Sequence, residues 1–180
     1  MRMRIALFTC IALVSFGLGG CKLYDELRTF DIDYSVDFTV PSSAIVNLPL
    51  NLPSPAVTTN SEQRFDDEGI ESAWIESITL KDLSITITAP ENEDFSFLES
   101  ISIYINSDGA TETLIATQTT IPEGAGNTLQ LVATGADLYP YISQDNITLR
   151  TEVTTDETLL YDVDFVADMQ VEVKATIPGT

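Results

Sequence analysis

The chain has 180 residues and a formal net charge of −20, from 28 acidic residues against eight basic ones, with no histidine. So acidic a surface repels phosphate backbones and anionic headgroups, which argues against nucleic acid as a direct partner. Without imidazole there is no Ser-His-Asp triad and no histidine zinc site.

Arg2 and Arg4 precede an apolar run from Ile5 to Leu18, broken only by Thr9, Ser15 and Gly17. A helix needs about 20 apolar residues to span a bilayer, so this run is short for that role. A positive start, an apolar stretch and the small residues Gly19 and Gly20 instead predict a signal peptide over residues 1–20. The junction Leu18-Gly19-Gly20-Cys21 resembles the lipobox of bacterial lipoproteins. That resemblance implies cleavage after Gly20 and a diacylglycerol on the Cys21 thiol, so that acyl chains hold the protein on a membrane without spanning it. Each buried methylene is worth about 0.8 kcal/mol, and more than one chain gives stable anchoring. Cys10 leaves with the signal, so the mature chain keeps no free thiol and no disulfide. Its six basic residues then face 28 acidic ones, a net charge of −22. In enterobacterial lipoproteins an aspartate after the cysteine retains the protein in the inner membrane. Lys22 stands there instead, which implies sorting to the outer membrane, with the final leaflet left open.

Residues 21–28 read as the lipidated terminus and a short polar tether. Lys22 to Arg28 reach at most about 23 Å, so the domain over residues 29–180 sits close to the membrane. From Phe30 to Val40, apolar side chains alternate with Asp31, Asp33, Ser35, Asp37 and Thr39, which predicts a strand with one buried and one wet face. Pro41 ends it. Residues 44–52 are apolar but punctuated by Pro49, and Pro53 and Pro55 follow, so an irregular edge strand is expected. Ser61 is placed to cap a helical turn in the polar stretch 60–69. Ile75, Ile78 and Leu80 lead into Leu83, Ile85 and Ile87 with a phase slip at Lys81-Asp82. Such a slip marks a β-bulge or a break between two strands.

Ile101, Ile103 and Ile105 form the next alternation, and Asn106-Ser107-Asp108-Gly109 is a turn signal before a partner strand over 114–119. Leu129 and Leu131 mark another strand. Asp137 to Ile142 suggest a 3₁₀ turn around Pro140, and strands follow at 147–153 and from Tyr161 to Ile177. Many short strands with turns between them predict an all-β fold, an antiparallel β-sandwich of about 7–9 strands. The immunoglobulin-like arrangement is the first expectation and the jelly roll the second. Residues 31–40 and 162–171 match in character at nearly every position. The rest of the two halves does not match, so these are two strands under one constraint, with apolar residues inward and aspartate outward.

No catalytic residues are assigned. No glycine-rich phosphate loop is present, and no pair of the 28 acids stands out as a glycosidase pair. No metal ligands or cofactor-binding residues are assigned either. Calcium is the one cation the loops Asp66-Asp67-Glu68, Glu91-Asn92-Glu93-Asp94 and Asp156-Glu157 bring to mind, although none has the spacing of a known calcium loop. Trp74, Tyr104, Tyr139 and Tyr141 are the aromatics available to stack on a sugar. Asp137-Leu138-Tyr139 faintly resembles a tyrosine corner, which would make Tyr139 structural.

The stretches Phe97-Leu98-Glu99-Ser100-Ile101-Ser102-Ile103-Tyr104-Ile105 and Leu149-Arg150-Thr151-Glu152-Val153-Thr154-Thr155-Asp156-Glu157-Thr158 resemble uncharacterised Bacteroidetes-type lipoproteins with a single β-sandwich. The resemblance covers most of the mature chain and brings no site residues with it. The expectation is a non-enzymatic, membrane-anchored interaction or envelope-structural module with an envelope protein as partner. A glycan- or divalent-cation-binding lipoprotein is the second expectation, and a carboxylate-based hydrolase the third.

Overall fold

The computed structural model describes residues 25–122 and 124–179. The expected signal peptide and the lipobox-like junction Leu18-Gly19-Gly20-Cys21 lie outside the described residues. Ten strands and two short helices follow in the order β1 (Glu26–Val40), β2 (Leu50–Pro53), β3 (Val57–Thr58), α1 (Ser61–Asp67), β4 (Ile75–Ala89), β5 (Leu98–Asn106), β6 (Thr113–Gln118), β7 (Thr128–Gln130), β8 (Val132–Ala133), α2 (Tyr139–Ile142), β9 (Asn146–Thr155) and β10 (Val163–Ile177). Among the described residues no helix is long and apolar enough to cross a membrane.

The antiparallel β-sandwich is the observed architecture. One sheet runs β1-β10-β4-β7 and the other β2-β9-β5-β6-β8, with β3 also pairing β9. The connectivity is not that of an immunoglobulin domain, where the first strand lies beside the second. Here the first strand lies beside the last, and the second beside the next to last. This interleaved order is that of a jelly roll, the second of the two arrangements expected. Its physical origin is the pairing of β1 with β10 along 15 residues without a register shift, from Glu26 opposite Ile177 to Val40 opposite Val163.

That pairing also explains the internal likeness of residues 31–40 and 162–171. Ile32, Tyr34, Val36 and Phe38 face the core opposite Val171, Met169, Ala167 and Phe165. Adjacent strands of one sheet, with the same face inward, must alternate in the same way.

The phase slip in β4 is a bulge within one continuous strand. Asp82 pairs with Gln170 and Leu80 with Val171, so Lys81 is the extra residue and both halves of β4 keep their apolar side chains inward. On the far side of the sandwich the segment 128–133 changes sheets. β7 pairs with β4, β8 pairs with β6, and between them the Leu131 N–H donates to Leu83 O at 2.9 Å.

Three local expectations need correction. Residues 41–49 do not form an edge strand; they make a loop, and only Leu50–Pro53 pair with β9. Asn60, with φ 50°, holds the N-cap position of α1, and Ser61 is its buried first residue. Tyr161 precedes β10 and is exposed instead of starting the strand.

Candidate functional surfaces

The sheet formed by β1, β10 and β4 presents a wet face of acidic side chains, most of which have a donor beside them. Gln170 Nε2 donates to Asp33 Oδ1 at 2.8 Å, Thr39 Oγ1 to Asp164 Oδ1 at 2.7 Å, and Ser35 Oγ to Asp168. Lys81 pairs with Asp31, Gln130 Nε2 donates to Asp82 Oδ1 at 2.6 Å, and Lys174 pairs with Glu172 at 2.7 Å. The pairs between neighbouring strands, Gln170–Asp33, Thr39–Asp164, Ser35–Asp168 and Gln130–Asp82, are of a kind worth roughly 0.2–1 kcal/mol each. An open groove of about 610 Å³ lies over the bulge, lined by Asp33, Ser35, Lys81, Asp82, Asp168 and Gln170. Its carboxylates are the ones already engaged in this ladder, and no aromatic ring stands free beside it, since the Tyr34 ring is buried.

The three acidic loops do not converge. Asp66 and Asp67 end α1, near the start of β1, whereas Glu91–Asp94 and Asp156–Glu157 lie at the other end of the sandwich. Among the described residues no three acidic side chains are placed to hold a metal ion. Asp94 caps a 3₁₀ turn by accepting from the Ser96 N–H at 2.9 Å, and the Ser96 hydroxyl together with that N–H holds its carboxyl below the usual range. The Asp162 carboxyl is likewise held low by the Ser42 N–H, 2.8 Å away.

The nominated aromatics are occupied. Arg150 stacks on the Tyr104 ring, its guanidinium carbon 3.9 Å from the centroid. The same guanidinium forms a fork with Glu112, at 2.8 Å to Oε1 and 3.0 Å to Oε2, and also reaches Asn51 and Glu152. The fork holds the Glu112 carboxyl low and raises the Arg150 pKa. Tyr141 is buried, and its hydroxyl donates to Thr113 Oγ1 at 2.6 Å and reaches Thr111 O. It is therefore Tyr141, more than Tyr139, that carries out the tethering role of a corner tyrosine. Trp74 and Tyr139 are packed partly against the core.

The Tyr34 hydroxyl donates to Thr59 O at 3.2 Å, and burial pushes its pKa up to about 12, partly opposed by the Arg64 charge. The folded protein thus holds the tyrosine proton more tightly than the unfolded chain does, where the pKa is about 10. This contribution is fully present below pH 10 and is lost as pH rises through 10 to 12. Urea unfolding across that window should show wild-type stability falling more steeply than that of Tyr34→Phe.

The free surface is at the end of the sandwich remote from the start of β1. Ile45, Leu48, Leu160 and Tyr161 are 66%, 54%, 82% and 69% exposed. Sequence alone gave no signal for this grouping. Residues 44–52 resemble a strand in composition, and Tyr161 resembles the first residue of one. Their shared position at one end depends on the Val40–Val163 pairing, from which the loops 41–49 and 156–162 rise side by side, joined by the Ser42 N–H to Asp162 Oδ1 bond.

No protein family and no curated protein matches the chain in sequence. Among solved structures it is similar to one titled "Structure of Turnip Yellow Mosaic Virus at 100 K", at 11% identity and a TM-score of 0.27, over 85% of this chain and 96% of that one. Nothing is carried over from so loose a superposition.

Proposed function

We propose that the chain is a bacterial lipoprotein of the outer membrane, held by acyl chains on Cys21 and acting as a non-enzymatic interaction or envelope-structural module. The resemblance to uncharacterised Bacteroidetes-type lipoproteins forms part of this reading. The observation that carries it is the placement of the two ends of the sandwich. β1 begins at Glu26, so Lys22 to Asp25 are all that separates Cys21 from the first strand, a reach of about 13 Å. The chain's other terminus meets the same end, where the Gly179 N–H donates to Asp25 Oδ1 at 3.3 Å. β1 then runs 15 residues, about 50 Å, to the end that exposes Ile45, Leu48, Leu160 and Tyr161. An anchor at one end and apolar side chains at the other suit a module that presents a surface away from the membrane.

The alternatives draw less support. A hydrolase needs two carboxylates free to face a substrate, and those lining the groove over the bulge, Asp33, Asp82 and Asp168, each accept from a side chain, Gln170, Gln130 and Ser35. Of the aromatics nominated to stack on a sugar, Tyr104 and Tyr141 are engaged by Arg150 and by Thr111 and Thr113, and Trp74 and Tyr139 are packed partly against the core.

The test is Cys21→Ala, followed by fractionation and metabolic labelling with a fatty acid. The wild-type chain should carry label and sediment with membranes, whereas the variant should be unlabelled and soluble. A variant that stays in the membrane fraction sinks the proposal.

A further inference from the structure

We propose that the end of the sandwich remote from Cys21 is a docking surface for a protein whose contacting face is apolar and rimmed by lysine or arginine. The inference rests on the anchored-module reading for its orientation and adds the chemistry of the partner.

Four of the six exposed large apolar side chains among the described residues, Ile45, Leu48, Leu160 and Tyr161, belong to two adjacent loops. Those loops rise from the paired residues Val40 and Val163. The Ser42 N–H donates to Asp162 Oδ1 at 2.8 Å, which ties one loop to the other. The Asn47 N–H donates to Thr155 O at 2.7 Å, and within the loop the Ala44 N–H donates to Pro41 O at 2.9 Å. Pro41 and Pro49 bracket the segment. A surface pinned in this way loses little conformational freedom on binding. Tyrosine in an apolar setting is among the residue types that dominate interface energetics.

Charge selects the occupant. The loops 41–49, 90–97, 119–127 and 156–162 contain no lysine or arginine, while Glu91, Glu93, Asp94, Asp156, Glu157 and Asp162 lie in the loops at the same end of the sandwich as the apolar side chains. A basic rim complements this surface and steers its approach. A second copy would set acid against acid, and an anionic lipid surface would be repelled in the same way.

The experiment places a photo-reactive amino acid at position 161 of the full-length chain in its producing bacterium, with position 33 on the acidic face as control. Cross-linked peptides are then sequenced so that the contacted residue is known. The expected result is one protein, joined at 161 and not at 33, through a segment in which apolar residues lie among lysines or arginines. Leu160→Ser and Ile45→Ser, both at exposed positions, should leave the melting temperature unchanged and lower the yield about tenfold. Raised salt should lower it as well. Adducts to a second copy, to lipid or to an acidic segment would overturn the inference, as would no adduct at 161. Fractionation of the same cells reads the anchor separately. A chain found free of the membrane yet cross-linked as expected would refute the anchor and keep the docking surface.

Discussion

Deleting Ser84 should abolish folding, whereas deleting Lys81, three positions earlier, should leave a folded protein. Side chains on a strand alternate between faces, so removing one residue turns everything beyond it onto the opposite face. Loss of Ser84 would turn Ile85 and Ile87, 0% and 6% exposed, toward water and Thr86 and Thr88 toward the core. Exposing each isoleucine costs about 1.5–3 kcal/mol, and each threonine buried without a partner adds about 1–3 kcal/mol. The total is comparable to the whole stability of a domain, about 5–15 kcal/mol. Lys81 differs because it is the unpaired residue of the bulge, with Leu80 opposite Val171 and Asp82 opposite Gln170. Removing it restores unbroken alternation through Ile78, Leu80 and Leu83. What is lost is a local bend and the solvent-screened Lys81–Asp31 pair, and such surface pairs contribute little. Circular dichroism and urea unfolding of the two deletions would decide the matter. An unfolded Lys81 deletion would mean that the bend, and not the phase, holds β4 in the sheet.

The same periodicity explains what was legible in advance. Alternation reports which face of a strand is buried, so β1, the bulge at Lys81 and the strand of β9 could all be read from composition and spacing. It does not report which strand lies next to which. Tyr34 and Met169 look alike as inward residues whether or not they are neighbours, and only the folded chain puts β1 beside β10 and makes the sandwich a jelly roll. Partners remote in sequence were invisible for the same reason. Tyr104 stands 46 positions from Arg150, and nothing local to either announces their stacking. The loop 41–49 misled in the other direction. Its apolar residues satisfy a strand pattern although Ile45 and Leu48 face water, because composition does not distinguish a buried edge from an exposed surface.

Phe165→Ala should destabilise the protein by about 3–5 kcal/mol, through the lost burial of the ring and the cavity left behind. Phe165 is 1% exposed on β10, which lies between β1 and β4. Its ring stacks on that of Phe38, directly opposite on β1, with centroids 5.6 Å apart and planes inclined by 25°. Ile87 of β4 flanks it on the other side. All three strands are closing ranks at this level, so no neighbour is free to move in and fill the space. A double-mutant cycle with Phe38→Ala should return a coupling of about 0.5–1.5 kcal/mol for the ring pair, since truncating either ring already removes their contact. Phe165 also lies two residues beyond Val163, where β10 leaves the loop that carries Leu160 and Tyr161. The cavity therefore opens beneath the apolar end of the sandwich and far from the start of β1 at Glu26. Amide exchange should quicken in residues 156–162 and 41–47 before it does around Glu26 and Ile177. A loss below about 2 kcal/mol, with exchange unchanged in those loops, would instead mean that β1 and β4 collapse onto the missing ring and that the core here is softer than its burial implies.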